Sequence, residues 1–157
     1  MNKLILIPLF ILASCGRLTS PAAPSRPLMA VPEFAVRIFL SHAATEKLYN
    51  AGETIRGTIY FDGDGAPLAS VKTAPHRNVI LGSYAFELHQ AGEIHVSDAM
   101  ISKEAYARLS DTNYHFFINV YSGRHAFQNN VLSGGYAAGR LSDLDPEKPI
   151  EIKCNLQ

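Results

Sequence analysis

The chain has 157 residues, and its 14 Lys and Arg balance 14 Asp and Glu, so the formal net charge at pH 7 is zero. This length suits one domain rather than two. A neutral chain lacks the basic surface that binds nucleic acid and the polybasic segment that binds anionic lipids. We therefore expect no nucleic-acid partner.

The first residues have the composition of a secretory signal. Lys3 supplies a positive start, and the run from residue 4 to residue 12 is almost wholly apolar. A charged start, an apolar segment of roughly 7–15 residues and small residues at the cleavage site define such signals. The run is shorter than the about 20 apolar residues of a membrane-spanning helix. The same pattern also fits an ordinary signal peptide, in which Cys15 would have no special role.

The tetrapeptide Leu12-Ala13-Ser14-Cys15 resembles the lipobox of bacterial lipoproteins. The resemblance implies cleavage after residue 14, acylation (palmitate) of Cys15 and attachment to the cell envelope. In these lipoproteins an aspartate after the cysteine commonly marks inner-membrane retention. Here Gly16 follows instead, so the resemblance favours the outer membrane, on its periplasmic face. Two or more acyl chains make such an anchor stable.

The segment after the cysteine predicts a tether. Residues 16–32 contain four of the nine prolines and no acidic residue. Pro-rich chains are extended, with a rise of about 3.1 Å per residue, so this segment would span roughly 50 Å. The sequence thus predicts a signal peptide at 1–14, a lipidated cysteine and Pro-rich tether at 15–33, and a folded domain at 34–157.

The folded domain opens with alternating apolar residues. Phe34, Val36 and Ile38 share one phase and predict a strand. Residues 41–50 are ambiguous, with one helical turn expected over 44–49. A second strand is expected over 54–61, and the Gly-rich stretch 62–65 has the composition of a hairpin turn.

The run from residue 48 to residue 59 resembles a strand opening of immunoglobulin-like and arrestin-like sandwiches. In those sandwiches a tyrosine, a glycine-acid turn and alternating aliphatic residues recur, as Tyr49, Gly52, Glu53 and Ile55 do here. The resemblance implies a fold and no particular function, because these sandwiches host many unrelated functions.

Further period-two segments follow at short intervals, at 79–89, 93–97, 114–121 and 150–156, with a short helix at 103–109. Together they predict an all-β domain, an immunoglobulin-like or transthyretin-like β-sandwich of about seven strands with one or two short helices. Cys154 shares its phase with Ile150 and Ile152, which favours a buried hydrophobe over a reactive thiol.

The motifs of catalysis are missing from the sequence. No G-x-S-x-G is present, and Ser133 lacks the strand and helix of a nucleophile elbow. We expect no enzymatic activity and no cofactor. His89 and His95 flank a predicted hairpin beside two glutamates. Two imidazoles and a carboxylate in this arrangement could bind zinc or copper. Solvated surface histidines are the simpler interpretation.

The segment 114–121 supplies the candidate binding residues. If its even-numbered residues face the core, the outward set is His115, Phe117, Asn119 and Tyr121, with Arg124 on the following loop. Aromatic residues and arginine are enriched at interface centres. The simpler alternative is that the 103–109 helix or the tether covers this face, because exposed apolar patches are rare unless they are functional.

These observations predict a lipid-anchored periplasmic binding or scaffold protein whose partner is another envelope protein. Its plan is similar to that of small β-sandwich lipoproteins such as secretion pilotins and the type VI secretion lipoprotein, which implies an accessory role in secretion or assembly. One alternative is an inhibitor or immunity protein against an envelope enzyme, with a rigid loop at 125–130. Another is a weak glycan or metal binder.

Overall fold

The computed structural model describes residues 27–66 and 77–157. These residues form mostly strands, with two α-helices and one 3-10 turn. The helices are α1 (His42–Ala51) and α2 (Lys103–Tyr106), and the 3-10 turn is Leu141–Asp143. In chain order the strands are β1 (Leu28–Ala30), β2 (Phe34–Leu40), β3 (Ile55–Gly65), β4 (Arg77–Leu88), β5 (Glu93–Val96), β6 (Met100–Ser102), β7 (His115–Ser122), β8 (Leu132–Ser133), β9 (Tyr136–Arg140) and β10 (Ile150–Leu156).

The strands build an all-β sandwich from two four-stranded sheets and one ribbon. The first sheet has the order β5-β2-β10-β8, the second sheet has the order β4-β3-β7-β9, and β1 pairs with β6 in the ribbon. All pairs are antiparallel except β2 with β10, which run parallel. The prediction of an all-β sandwich is confirmed. The described residues hold more strands than the predicted seven, and the additional strands β1, β6 and β8 have only two or three residues each.

The core lies between the two sheets, where alternate residues of β2, β3, β7 and β10 are buried. Phe34 of the first sheet packs against Phe116 of the second, with ring centroids 6.3 Å apart. In β7, Phe116, Ile118 and Val120 are buried, as the sequence pattern predicts. Cys154 on β10 is 1 % exposed, which confirms the predicted buried thiol, and burial raises its pKa to about 11.

The ambiguous segment after β2 forms a helix of ten residues, α1. Ser41 caps it, since its Oγ accepts a hydrogen bond from the Ala44 backbone N–H at 3.4 Å. The helix ends at Gly52, whose φ of 64° is the left-handed conformation that glycine adopts most easily at a helix C-terminus. Ala44 and Leu48 are buried. None of the helices among the described residues is both long and apolar enough to cross a membrane.

Part of the predicted tether belongs to the fold. Leu28–Ala30 pairs with Met100–Ser102, and Val31, which is 3 % exposed, donates from its backbone N–H to Ala99 at 2.9 Å. A strand of three residues between prolines has too few alternating residues to be recognised from the sequence. The remaining tether residues, 15–26, lie outside the described residues, as do the predicted signal peptide and Cys15.

Two predicted turns differ from the structure. The Gly-rich stretch 62–65 is not a turn, because β3 continues through it and pairs Gly65 with Arg77. Gly63 serves close packing there, since a Cβ would lie 2.9 Å from the side chain of Leu109. The predicted hairpin at 89–95 is also wrong. β4 belongs to the second sheet and β5 to the first, so the turn at residues 89–92 crosses between the sheets.

Candidate functional site

The outward surface of the second sheet is rich in exposed rings, and we call it the aromatic face. It is defined by Tyr60 on β3, Phe117 and Tyr121 on β7, and Tyr136 on β9. Tyr60 and Phe117 lie opposite each other in the ladder, and their rings stack with centroids 6.5 Å apart. They are 46 % and 43 % exposed, and Tyr136 is 68 % exposed. The face therefore carries a pair of exposed stacked rings on a hydrogen-bonded sheet, with Tyr121 and Tyr136 further along the same side.

The structure brings the predicted binding residues together on this face. His115, Phe117, Asn119 and Tyr121 follow one another along the outward side of β7. Arg124 joins them from the following loop, with its guanidinium 5.8 Å from the centre of the Tyr121 ring. Among the described residues neither α2 nor another segment buries Phe117. The alternative that α2 covers this face is thus wrong. The alternative that the tether covers it concerns residues 15–26, which lie outside the described residues.

One end of the aromatic face is a shallow depression with charged side chains among its lining residues. It is lined by Asp62, His115, Phe117, Ala138 and Arg140, among others. The Nδ1 atom of His115 lies 3.8 Å from an Asp62 carboxylate oxygen. Asn78 donates to the other Asp62 oxygen at 2.9 Å. The ring surface is therefore bordered here by charges of both signs.

The opposite end of the aromatic face is bordered by a hydrogen-bonded cluster around Glu87. One carboxylate oxygen accepts from Thr54 Oγ1 at 2.5 Å and lies 2.6 Å from His125 Nε2. The other oxygen accepts from Arg56 Nε at 3.0 Å. The Thr54 and His125 hydrogen bonds, with a smaller contribution from Arg56, lower the pKa of Glu87 to about 2. Glu87 is therefore ionised throughout the physiological range.

A buried carboxylate, Glu53, holds the loop that follows β7. Its two oxygens accept backbone N–H donors from Thr54 at 2.9 Å, His125 at 3.2 Å, Ala126 at 2.8 Å and Phe127 at 3.2 Å. Burial by itself raises the pKa of Glu53, but these backbone hydrogen bonds, that of Ala126 foremost, lower it below its usual value. Glu53 thus acts as an internal anion around which the loop folds.

The loop held by Glu53 contains the strained residue of the site. Arg124 has a φ of 64°, a left-handed conformation that non-glycine residues seldom adopt and that persists only where the surroundings impose it. The three N–H bonds from residues 125–127 to Glu53 impose it here. Their effect is to place Arg124 over Tyr121 and His125 beside Glu87.

Sequence reasoning missed the role of Glu53, although it noted the residue in a turn before a strand. The carboxylate binds backbone groups 72 to 74 residues away. A single acid before a strand gives no periodic signal that it is buried. The only available signal was its position between Gly52 and the buried strand β3, which does not specify a loop as its partner.

The residues considered for metal binding do not converge. Glu93 pairs with Arg37 on the first sheet, and Glu87 pairs with His125 on the second. His89 lies in the turn after β4, whereas His95 lies on β5 of the first sheet. Within residues 27–66 and 77–157, no three His, Cys, Asp or Glu side chains are placed to hold a metal ion.

No protein-family model, curated protein or solved structure matches the chain with significant similarity. The chemistry of the aromatic face is therefore the basis on which a function can be argued.

Proposed function

We propose that this chain is a binding protein of the cell envelope that holds a partner protein on its aromatic face and is anchored to the membrane through an acylated Cys15. The observation that carries the proposal is the exposed, stacked pair of Tyr60 and Phe117 at the middle of the second sheet. Exposed apolar patches on a folded domain commonly mark interaction sites.

The composition of the face supports protein binding. Interface centres are enriched in Tyr, Phe and Arg, and their rims are polar. Here the rings lie between the Asp62 and His115 pair at one end and the Glu87 cluster at the other. The rings stand on a hydrogen-bonded sheet, so little conformational entropy is lost when a partner binds them.

The state of the charged groups supports binding without catalysis. A general base works best with a pKa near the operating pH, whereas the pKa of Glu87 is about 2. Its carboxylate already has three side-chain partners, and Glu53 is occupied by backbone donors. We propose that these groups shape and border the binding face.

The anchor is tested with Cys15→Ser. If Cys15 carries the lipid, the variant is released into the soluble periplasmic fraction or remains unprocessed, while the wild-type protein sediments with outer membranes. A variant that is still cleaved and fractionates with membranes as before would refute lipid anchoring. This result bears on the location of the protein and leaves the binding face untested, so the two parts of the proposal can fail separately.

The face is tested by site-specific photo-cross-linking in intact cells. A photoreactive residue replaces Phe117, and a matched one replaces Tyr49, which is 85 % exposed on α1 and lies away from the second sheet. We expect one envelope protein to be cross-linked from position 117 and not from position 49. Equal cross-linking from both positions, or none from 117, would contradict the proposal.

A second candidate is an inhibitor that inserts the loop after β7 into an enzyme. The observation that favours it is the rigidity of this loop, which is held by Glu53 at one side and by Asn130 at the other. The Asn130 carboxamide accepts from the Ser122 N–H at 2.9 Å and donates to Leu132 at 2.8 Å. A photoreactive residue at Gln128 distinguishes the candidates, since an inhibitor would cross-link from 128 more strongly than from 117.

A further inference from the structure

Strand β9 is an open edge of the second sheet. Its hydrogen-bonding pattern with β7 is defined at both ends, since the Val120 N–H donates to Gly135 and the Leu141 N–H donates to Tyr114. In an antiparallel ladder, hydrogen-bonded residues alternate with residues whose N–H and C=O point the other way. The backbone groups of Ala138 and Arg140 therefore point away from β7, and no backbone group in the described part of the chain pairs with them.

The middle of the β9 edge lacks the features that usually prevent strands from pairing. Natural edge strands carry lysine, proline or a bulge, or are very short. The other outer strand of this sheet, β4, has a register irregularity next to Phe61, where Leu81 has no opposite residue. On the first sheet, β8 has only two residues. The middle of β9 is Ala137, Ala138 and Gly139, which present small side chains and no charge.

We propose that two copies of the chain pair antiparallel through β9, with Ala138 of each copy opposite Ala138 of the other. The two second sheets then form one eight-stranded sheet with twofold symmetry. This inference goes beyond the proposed partner binding and does not depend on it.

The register follows from the residues of the strand. With Ala138 on the twofold axis, Tyr136 of one copy lies opposite Arg140 of the other, and both side chains are on the aromatic face. Opposite residues of an antiparallel pair are close enough to interact, and arginine binds favourably over a tyrosine ring. The pairing is self-complementary, as a twofold interface requires.

The backbone groups fit the same register. The N–H and C=O of Ala138 bond to their counterparts, and the Arg140 N–H reaches the Tyr136 carbonyl of the other copy. The Tyr136 N–H already donates to Gly134 at 2.9 Å within its own chain. Arg140 is extended, with φ −89° and ψ 140°, so the strand is already shaped for pairing. The two aromatic faces would join into one continuous surface.

The experiment is disulfide cross-linking of the full chain, purified in detergent, with cysteine at Ala138. Residues opposite each other in a hydrogen-bonded pair have Cα atoms about 5.5 Å apart, within the range of a disulfide. The matched control is Ala85→Cys, because Ala85 is also exposed on the outward side of the second sheet. Both variants retain Cys15 and Cys154, so any background from those residues is the same for both.

We expect Ala138→Cys to form a covalent dimer at least about tenfold faster than Ala85→Cys, because pairing holds the two thiols at a high effective concentration. Equal rates for the two variants would overturn the proposal.

A proline at the same position gives an independent test. The Ala138 N–H points to the open edge, so Ala138→Pro removes no hydrogen bond within one chain, and proline is tolerated at such edge positions. We expect sedimentation velocity to show a concentration-dependent dimer for the wild-type chain and a monomer for Ala138→Pro, with similar melting temperatures. A folded Ala138→Pro chain that dimerises like the wild type would refute pairing through β9.

Discussion

The outward faces of the two sheets differ in chemistry although both follow the same alternation. On the first sheet, Arg37 lies between Glu93 and Glu151, and its Nη2 is 2.6 Å from a Glu93 oxygen. The exposed ring of that face, Phe39, lies opposite Lys153. On the second sheet the outward side carries Tyr60, Phe117, Tyr121 and Tyr136 in addition to the Arg56 and Glu87 ion pair.

The difference separates what folding requires from what binding requires. The sandwich needs apolar residues on the inward side of each strand, and both sheets supply them. Folding places little demand on the outward side, and the first sheet shows that charged residues suffice there. The exposed rings of the second sheet therefore need another reason, and partner binding is the reason we propose.

The largest expected effect is the difference in stability loss between substitutions of two neighbouring rings of β7. Phe116 is 4 % exposed and Phe117 is 43 % exposed. Phe116→Ala should lower the free energy of unfolding by about 3–5 kcal/mol, the usual cost of emptying a core position. Phe117→Ala should lower it by less than about 1 kcal/mol, as surface substitutions do. Urea unfolding measures both, and equal losses would contradict the distinction between core and face.

The next effect concerns the loop that borders the aromatic face. Glu53→Gln replaces one acceptor oxygen by an NH₂ group, which leaves buried backbone N–H donors without a partner. Losing such hydrogen bonds to a charged group should cost about 2–3 kcal/mol. Urea unfolding again measures it, and Glu46→Gln on exposed α1 is the matched control. A loss no larger than that of the control would show that Glu53 does not organise the loop.

The pH dependence has a definite sign for Glu53 and Glu87. Both pKa values are lowered in the folded state from an ordinary value of 4.5, that of Glu87 to about 2. The stability they contribute is therefore present above pH 4.5 and is lost as the pH falls through the folded pKa values. We expect the unfolding free energy of Glu53→Gln to decline less steeply below pH 4.5 than that of the wild type. Parallel declines would contradict the role of the carboxylate.

The smallest effect is expected on the first sheet. Arg37 and Glu93 form an ion pair whose side chains are 45 % and 29 % exposed, and exposed pairs contribute only about 0.2–1 kcal/mol. A double-mutant cycle of Arg37→Ala and Glu93→Ala should give a coupling in that range and leave partner cross-linking unchanged. Loss of cross-linking would indicate that the partner binds the first sheet and would contradict the proposed binding face.

The alternation of β2, β7 and β10 could be predicted because a period of two decides which side chains share a face within one strand. The outward positions of Phe117 and Tyr121 follow from that rule alone. Their exposure could not be predicted, since it depends on which segments cover the sheet. The stacking of Tyr60 on Phe117 and the bonds of Glu53 to residues 125–127 depend on contacts between distant segments, and no local pattern encodes them.

The central claim is that Phe117 and Tyr121 bind a partner rather than stabilise the fold. It is tested most directly by titrating the protein captured from position 117 with the Phe117→Ala and Tyr121→Ala double variant, with Tyr49→Ala as control. Each truncated hot-spot ring costs roughly 2 kcal/mol or more, about thirtyfold in affinity. We predict at least that loss for the double variant with a nearly unchanged melting temperature. Unchanged affinity in a folded double variant would contradict the account.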